Sequence, residues 1–149
     1  MGRIVITVVV LLVSLFVLAR TVPVEPVDRR PGLGLTAPAG VYGDAIMAAV
    51  DGRIEVHLET WPWYGIPHSV TTILWRDGEF LYIPCANCST KNWPKTVAAD
   101  PDVRVKINGS LYDLRMQKVE DDAGRRHALR VLGGADAPPD VWVYRLLPR

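Results

Sequence analysis

The sequence predicts a mainly β (α+β) fold: a small antiparallel β-barrel with two or three short helices, preceded by one N-terminal hydrophobic helix. Three observations predict it. Asp77-Gly78 and Asn108-Gly109 each stand between runs of apolar, β-branched and aromatic residues. That is a strong short-range hairpin signal, because a type I′ turn needs positive φ at both central residues. Strand-like segments recur at spacings of roughly 8 residues, and about five or six such strands would close into a barrel, since closure removes exposed edges. Ile4 to Ala19 carries no charge and only Thr7 and Ser14 as polar residues.

Taken in order, residues 1–20 form a membrane anchor or a signal segment. The apolar run is about 16 residues, roughly 24 Å as a helix, slightly short of a bilayer's hydrocarbon core. Arg3 and Arg20 flank it and can snorkel to the interfaces. The alternative is a secretory signal cut after Ala19, against which stand a minimal charged n-region and a poor cleavage site. Arg20, Arg29 and Arg30 follow the run and only Arg3 precedes it, so the positive-inside rule weakly favours a cytoplasmic barrel. The expected localisation is a cell membrane, single-pass, with the side of the soluble part left open, and exported if the segment is cleaved. Residues 21–38 hold Pro23, Pro26, Pro31, Pro38, Gly32 and Gly34, which propagate neither helix nor central strand, so they read as a linker. Residues 39–149 are the barrel domain.

Within that domain, Tyr42–Val50 predicts a short amphipathic helix stopped by Asp51-Gly52. Arg53–Trp61 alternates, with Ile54, Val56 and Leu58 on one side and Glu55, His57 and Glu59 on the other, as a half-exposed strand does. Trp61–Pro67 is a rigid aromatic loop. His68–Arg76 and Glu79–Pro84 form the first hairpin. Ser89 or Thr90 is the expected N-cap of a helix with Pro94 in its first turn, ended by Asp100-Pro101. Val103–Ile107 and Leu111–Val119 form the second hairpin. Asp121 or Asp122 caps a helix running to Leu132 and terminated by Gly133-Gly134, and Val141–Leu146 is the last strand.

The 149 residues are 49% hydrophobic with a formal net charge of +1, which suits one modest domain plus an appendage and argues against nucleic acid as the main partner. Two cysteines are too few for a disulfide scaffold. Cys85-Ala-Asn-Cys88 reads as a structural disulfide, a pair of buried thiols, or a redox pair activated beside a helix start; half a zinc site is the least supported reading, because no second pair follows. Lys91, with Ser89 and Thr90, is the leading anion site: a helix start offers free N–H groups, and a lysine adds a point charge for phosphate. An ordinary cap followed by a solvated lysine is the plain alternative. Along the first hairpin strand, His68, Val70 and Thr72 share one face, and Ser69, Thr71 and Ile73 the other. Either set can meet a ligand or simply be a polar strand face. Trp61, Trp63 and Tyr64 can stack on a ring, rest on a membrane, or plug a barrel end. Arg104 and Lys106 sit on the polar face of a strand, where solvation is the default. No Ser-His-Asp order, phosphate-binding glycine loop or paired-carboxylate pattern stands out.

The order of these pieces resembles the split β-barrel flavin-binding superfamily, which includes pyridoxamine 5′-phosphate oxidase-like and deazaflavin-dependent nitroreductase-like proteins. The resemblance is carried by Gly65-Ile-Pro67-His68-Ser69-Val70, by Trp75-Arg-Asp77-Gly78 with Leu81-Tyr82-Ile83, and by Ser89-Thr90-Lys91-x-Trp93. It continues through Val97-x-x-Asp100-Pro101-x-Val103 and Ile107-x-Gly109-x-x-Tyr112, from about Gly52 to Val119. It implies a split barrel with FMN or a deazaflavin as cofactor. Residues His68, Ser69, Val70, Thr71 and Thr72 would support the ring, and Ser89, Thr90, Lys91 and Trp93 would lie by the phosphate. It also implies a homodimer and a small-molecule electron acceptor.

The expected function is a membrane-tethered flavin-type cofactor-binding protein acting as an oxidoreductase of nitroreductase or quinone-reductase type. Two other readings stand beside it: a cofactor-free barrel anchored to the membrane as a binding module, and a thiol-redox protein using Cys85 and Cys88.

Overall fold

A computed structural model describes residues 2–28, 30–131 and 140–149. The elements are α1 (Gly2–Thr21), α2 (Asp44–Ala49), β1 (Arg53–Thr60), β2 (His68–Asp77), β3 (Phe80–Ala86), a 3-10 turn (Cys88–Thr90), α3 (Trp93–Ala99), β4 (Asp102–Ile107), β5 (Ser110–Lys118), α4 (Asp122–Val131) and β6 (Val141–Pro148). The strands form a closed antiparallel barrel in the order β1-β2-β3-β6-β5-β4, with β4 returning to β1.

Period-2 alternation turns Val56 and Leu58 of β1, Leu74 of β2, Val105 of β4 and Leu114 of β5 into one interior cluster. Each fully buried Leu there contributes on the order of 1.5–3 kcal/mol. The barrel ends are filled by Ile46 of α2 and by Trp93 and Val97 of α3, which belong to the same cluster. Helix α4 covers the outside instead, packing Ala128 and Leu129 on Trp75, Tyr82 and Val143.

The second hairpin turns at Asn108-Gly109 as the sequence predicts: φ is positive at both residues, and Ile107 pairs with Ser110. The first is displaced by one residue. Asp77 pairs with Phe80, so the turn residues are Gly78 and Glu79, and only Gly78 has positive φ. That is the requirement of a type II′ turn, which needs glycine at its first central position alone.

The barrel is split. β3 pairs with β2 only at Trp75, Arg76 and Asp77, whereas β1 pairs with β2 along its length from His68 to Trp75. From Leu81 to Ala86, β3 pairs with β6, and from Ile83 onward it has left β2. The first half of β2 therefore has a free edge.

Residues 22–40 occupy part of that edge. The described residues among them carry no helix or named strand, as the prolines and glycines predict, but they do not stand away from the barrel. Gly32 exchanges both backbone hydrogen bonds with Ser69 (2.9 and 3.2 Å). Leu35 is buried, and its N–H donates to Glu59 Oε2 at 2.5 Å. Further on, Gly40 donates to Leu111 O and Leu111 donates to Pro38 O. The segment is a strap. Gly32 is required by close approach: a Cβ there would lie 2.1 Å from Val24 O and 2.6 Å from Ser69 Oγ.

Helix α1 is 20 residues, about 30 Å at 1.5 Å per residue, and none of them is buried. It is longer than the apolar run because Arg3, Arg20 and Thr21 continue it. In length and composition it is sufficient to cross a bilayer. Helix α4 begins with Asp121 accepting from the Gly124 N–H, as predicted; its predicted stop at Gly133-Gly134 lies outside the described residues.

Candidate functional site

β2 brings two hydroxyls to the outer face of the barrel. In the β1–β2 register, Thr71 is opposite His57 and Ser69 is opposite Glu59. Val70, Thr72 and Leu74 alternate inward, opposite Leu58, Val56 and Ile54. His68 is exposed at the strand's start, and its Nε2 meets the Tyr64 hydroxyl at 2.6 Å. The five β2 residues singled out in the sequence therefore divide: Ser69 and Thr71 share the outer patch with His57 and Glu59, while Val70 and Thr72 belong to the interior side.

The outer patch is strongly polar and largely closed. Glu59 is 0% exposed, and its Oε1 accepts from Arg104 Nε at 2.7 Å and Nη2 at 2.5 Å. Lys106 pairs with Glu25 of the strap, which also lies 3.8 Å from His57 Nδ1. Arg104 and Lys106 are thus held by carboxylates rather than solvated, which corrects the reading of their strand face. Three side-chain atoms in this patch are buried without a hydrogen-bond partner: His57 Nδ1, Ser69 Oγ and Thr71 Oγ1. Buried polar groups are nearly always satisfied, so three on one patch leave hydrogen-bonding capacity there for water or a polar ligand.

Backbone groups add to it. Ser69 spends its N–H and C=O on Gly32, so antiparallel alternation turns those of Thr71 and Ile73 the same way, into the split, where no strand pairs with them. The curl of the strap beside this patch bounds an open cavity of about 750 Å³, lined by Val24, Glu25, Val27, Asp28, Arg30 and Pro31. That volume is within the range that small-molecule sites occupy.

The anion site expected at Ser89–Lys91 is differently built. Helix α3 starts at Trp93, after Lys91 in extended conformation, and its N-cap Asn92 makes no side-chain cap bond. Pro94 is in the first turn, as predicted, and Asp100 ends the helix. Ser89 is taken up by Asp140: its N–H and hydroxyl both donate to that carboxylate, at 2.9 and 2.8 Å. Thr90 donates to Asn87 O at 2.8 Å. Trp93 is buried with its ring 5.2 Å from that of Tyr144. Lys91 is exposed and makes no ion pair among the described residues. Only Lys91 of the four is free to meet a ligand.

The Ser89 bonds hold the Asp140 carboxyl below its ordinary pKa. A depressed carboxylate stabilises the fold above its unfolded pKa, and that contribution is lost as pH falls through the folded value. Asp140→Asn is therefore expected to lower the unfolding midpoint at neutral pH. The difference from the parent protein should close below about pH 4 in pH-dependent thermal unfolding. Burial pushes the Tyr144 phenol up to about 12, with the Glu120 carboxylate adding to the shift, so it stays neutral in the core.

Cys85 and Cys88 form a disulfide, and both residues are buried, at the end of β3 and the start of the 3-10 turn. Thiol–disulfide exchange requires access to a sulfur, so burial favours the structural reading. The cross-link closes a very short loop. Cys85→Ala with Cys88→Ala is expected to cost about 2 kcal/mol by the loop-entropy relation, measurable by urea unfolding. No group of three or more His, Cys, Asp or Glu side chains suited to a metal occurs among the described residues.

The sequence singled out neither His57 as a partner of β2 nor Glu25 and Gly32 as covers. Alternation placed His57 and Glu59 on one face of β1; only the register sets them against Thr71 and Ser69.

Neither a protein-family model nor a curated protein matches the chain. Solved structures do. A candidate pyridoxamine 5′-phosphate oxidase from Listeria innocua superposes with a TM-score of 0.60 at 20% identity, covering 71% of this chain and 92% of that one. A FAD-binding protein from Mesorhizobium loti gives 0.55 at 19%, covering 78% and 93%. An F420 reductase gives 0.50 at 18%, covering 68% and 91%. At these identities the common property is the fold.

Proposed function

We propose, from the premise that this chain has the split β-barrel fold of the flavin-binding superfamily, that it is a membrane-tethered protein binding a flavin-type cofactor for an oxidoreductase reaction. The observation that carries the reading is the trio of unpartnered buried atoms on one outer patch, His57 Nδ1, Ser69 Oγ and Thr71 Oγ1. An isoalloxazine or deazaflavin ring carries carbonyl and ring-nitrogen groups that such donors and acceptors can satisfy. When bound, the cofactor supplies the electron transfer. The chain's own part is to bind and orient it: Ser69 and Thr71 by their hydroxyls, His57 by its ring, and the Thr71–Ile73 edge by its backbone groups. In this reading a second copy of the barrel would complete the site as a homodimer and admit a small-molecule electron acceptor.

Helix α1 acts as a single-pass anchor in this proposal. The disulfide favours the barrel on the oxidising side of the membrane, since such bonds persist there and are reduced in most cytosols. That outweighs the few arginines behind the helix, one of which, Arg20, is engaged with Gly65 O.

The test is titration of the purified full-length protein with FMN, riboflavin and a deazaflavin, followed by absorption and flavin fluorescence. Saturable binding of at least one is expected; none from any of the three would leave the cofactor-free module as the better reading. Lys91 offers a graded check. As an exposed charge without a helix start behind it, its contribution is at most about 1 kcal/mol, so Lys91→Ala should weaken FMN binding by no more than roughly fivefold. Riboflavin, which lacks the phosphate, should bind as before.

A further inference from the structure

Among the described residues, the Trp61–Pro67 loop carries the most exposed aromatic side chain, and neither the barrel core nor the proposed cofactor patch uses it. Trp63 is 96% exposed and Tyr64 is exposed beside it, their rings edge to face at 5.6 Å. Neither fills a barrel end; α2 and α3 do that. The loop is nevertheless fixed. Gly65 N–H donates to Pro62 O at 2.9 Å, and Tyr64 is tied to His68.

It is fixed against the end of α1. Arg20, in the last turn of that helix, donates from Nη1 to Gly65 O at 2.8 Å, and its guanidinium lies 5.5 Å from the centre of the Trp61 ring. The lack of a side chain at Gly65 leaves room for this, since a Cβ there would meet Arg20 Nη1 at 2.6 Å. With Ile4–Ala19 in hydrocarbon, Arg20 is at the boundary with water, and the loop bonded to it is at the same level. Val22 and Val24, which follow the helix, are also exposed.

We infer that the Trp61–Pro67 loop is a second membrane contact, with Trp63 and Tyr64 seated in the headgroup region of the bilayer that α1 crosses. The occupant is lipid rather than a protein because the aromatic surface is continuous with the anchor through the Arg20–Gly65 bond. Trp and Tyr favour that layer because each combines an apolar ring with a polar group that stays hydrated. The inference rests on α1 acting as an anchor, and the experiment separates the two.

Full-length protein is reconstituted into vesicles of phosphatidylcholine and phosphatidylglycerol, with and without acyl chains brominated at a shallow carbon. Flotation reads the anchor. Trp63→Phe, at a site so exposed that folding is unaffected, isolates the Trp63 emission by difference from the other tryptophans. Shallow bromine is expected to quench that component roughly twofold or more, as for a tryptophan at the interface. Protein that floats while its Trp63 component is quenched no more than in unbrominated vesicles overturns the loop contact and leaves the anchor standing. Protein that does not float overturns both.

Discussion

Arg104→Ala is expected to destabilise the barrel by about 3 kcal/mol, the low end of the range for removing one member of a buried ion pair. Glu59 is fully enclosed, and Arg104 supplies two donors to its Oε1, leaving only the Leu35 N–H on Oε2. Without the guanidinium the carboxylate is buried with a single partner. The low end applies because the Arg104 side chain is 30% exposed, so water can partly replace it. In thermal unfolding the midpoint should drop by roughly 10 °C. The double change Glu59→Met with Arg104→Met removes both charges and should recover most of the loss. A single variant within about 1 kcal/mol of the parent protein would mean that the pair is effectively solvated.

Ser69→Ala combined with Thr71→Val should have opposite effects on binding and on stability. In the cofactor-free protein both hydroxyls are buried and unpartnered, so replacing them with apolar atoms of similar size should leave stability unchanged or slightly raised. Binding should suffer. Two neutral hydrogen bonds to the ring are worth about 1–3 kcal/mol together, a loss of roughly 5- to 150-fold in affinity. FMN and riboflavin should lose equally, because the contact is with the ring, in contrast to Lys91→Ala. Unchanged affinity at unchanged stability would remove the outer patch of β2 as the cofactor site. A large fall in stability would show instead that these hydroxyls are satisfied in the folded protein.

Much of this architecture is legible in the sequence, because it rests on local patterns. Alternation gave the strands, Asn108-Gly109 specified its turn uniquely, and Pro94 and Asp100-Pro101 marked the ends of α3. Where the pattern allowed two answers, the sequence could not choose. Asp77-Gly78 fits a type I′ turn, but Gly78-Glu79 fits a type II′ turn equally well, and cross-strand pairing of Asp77 with Phe80 decides between them. Ser89 is a good helix cap by composition; a distant carboxylate, Asp140, takes its donors instead. Alternation divides the β2 residues into two faces, but which face points outward depends on its partners on β1. The strap was the least legible part. Its prolines and glycines exclude regular structure, yet a single pair of hydrogen bonds between Gly32 and Ser69 has no period to detect.

That strap also determines how freely the barrel moves. Were residues 22–40 a slack chain, their ends would lie roughly 24 Å apart on average, and the barrel would tumble within a hemisphere of that radius. Instead the segment is pinned at Gly32, Leu35 and Gly40, and Arg20 is clasped to Gly65 at its origin. With α1 in a bilayer, these contacts would restrict the tilt of the barrel relative to the helix more than a slack chain would. In the proposed tethered arrangement one face of the barrel would then lie towards the lipid. A reaction partner dissolved in the membrane would meet it by lateral diffusion in two dimensions, and one from the aqueous side would approach only the opposite hemisphere.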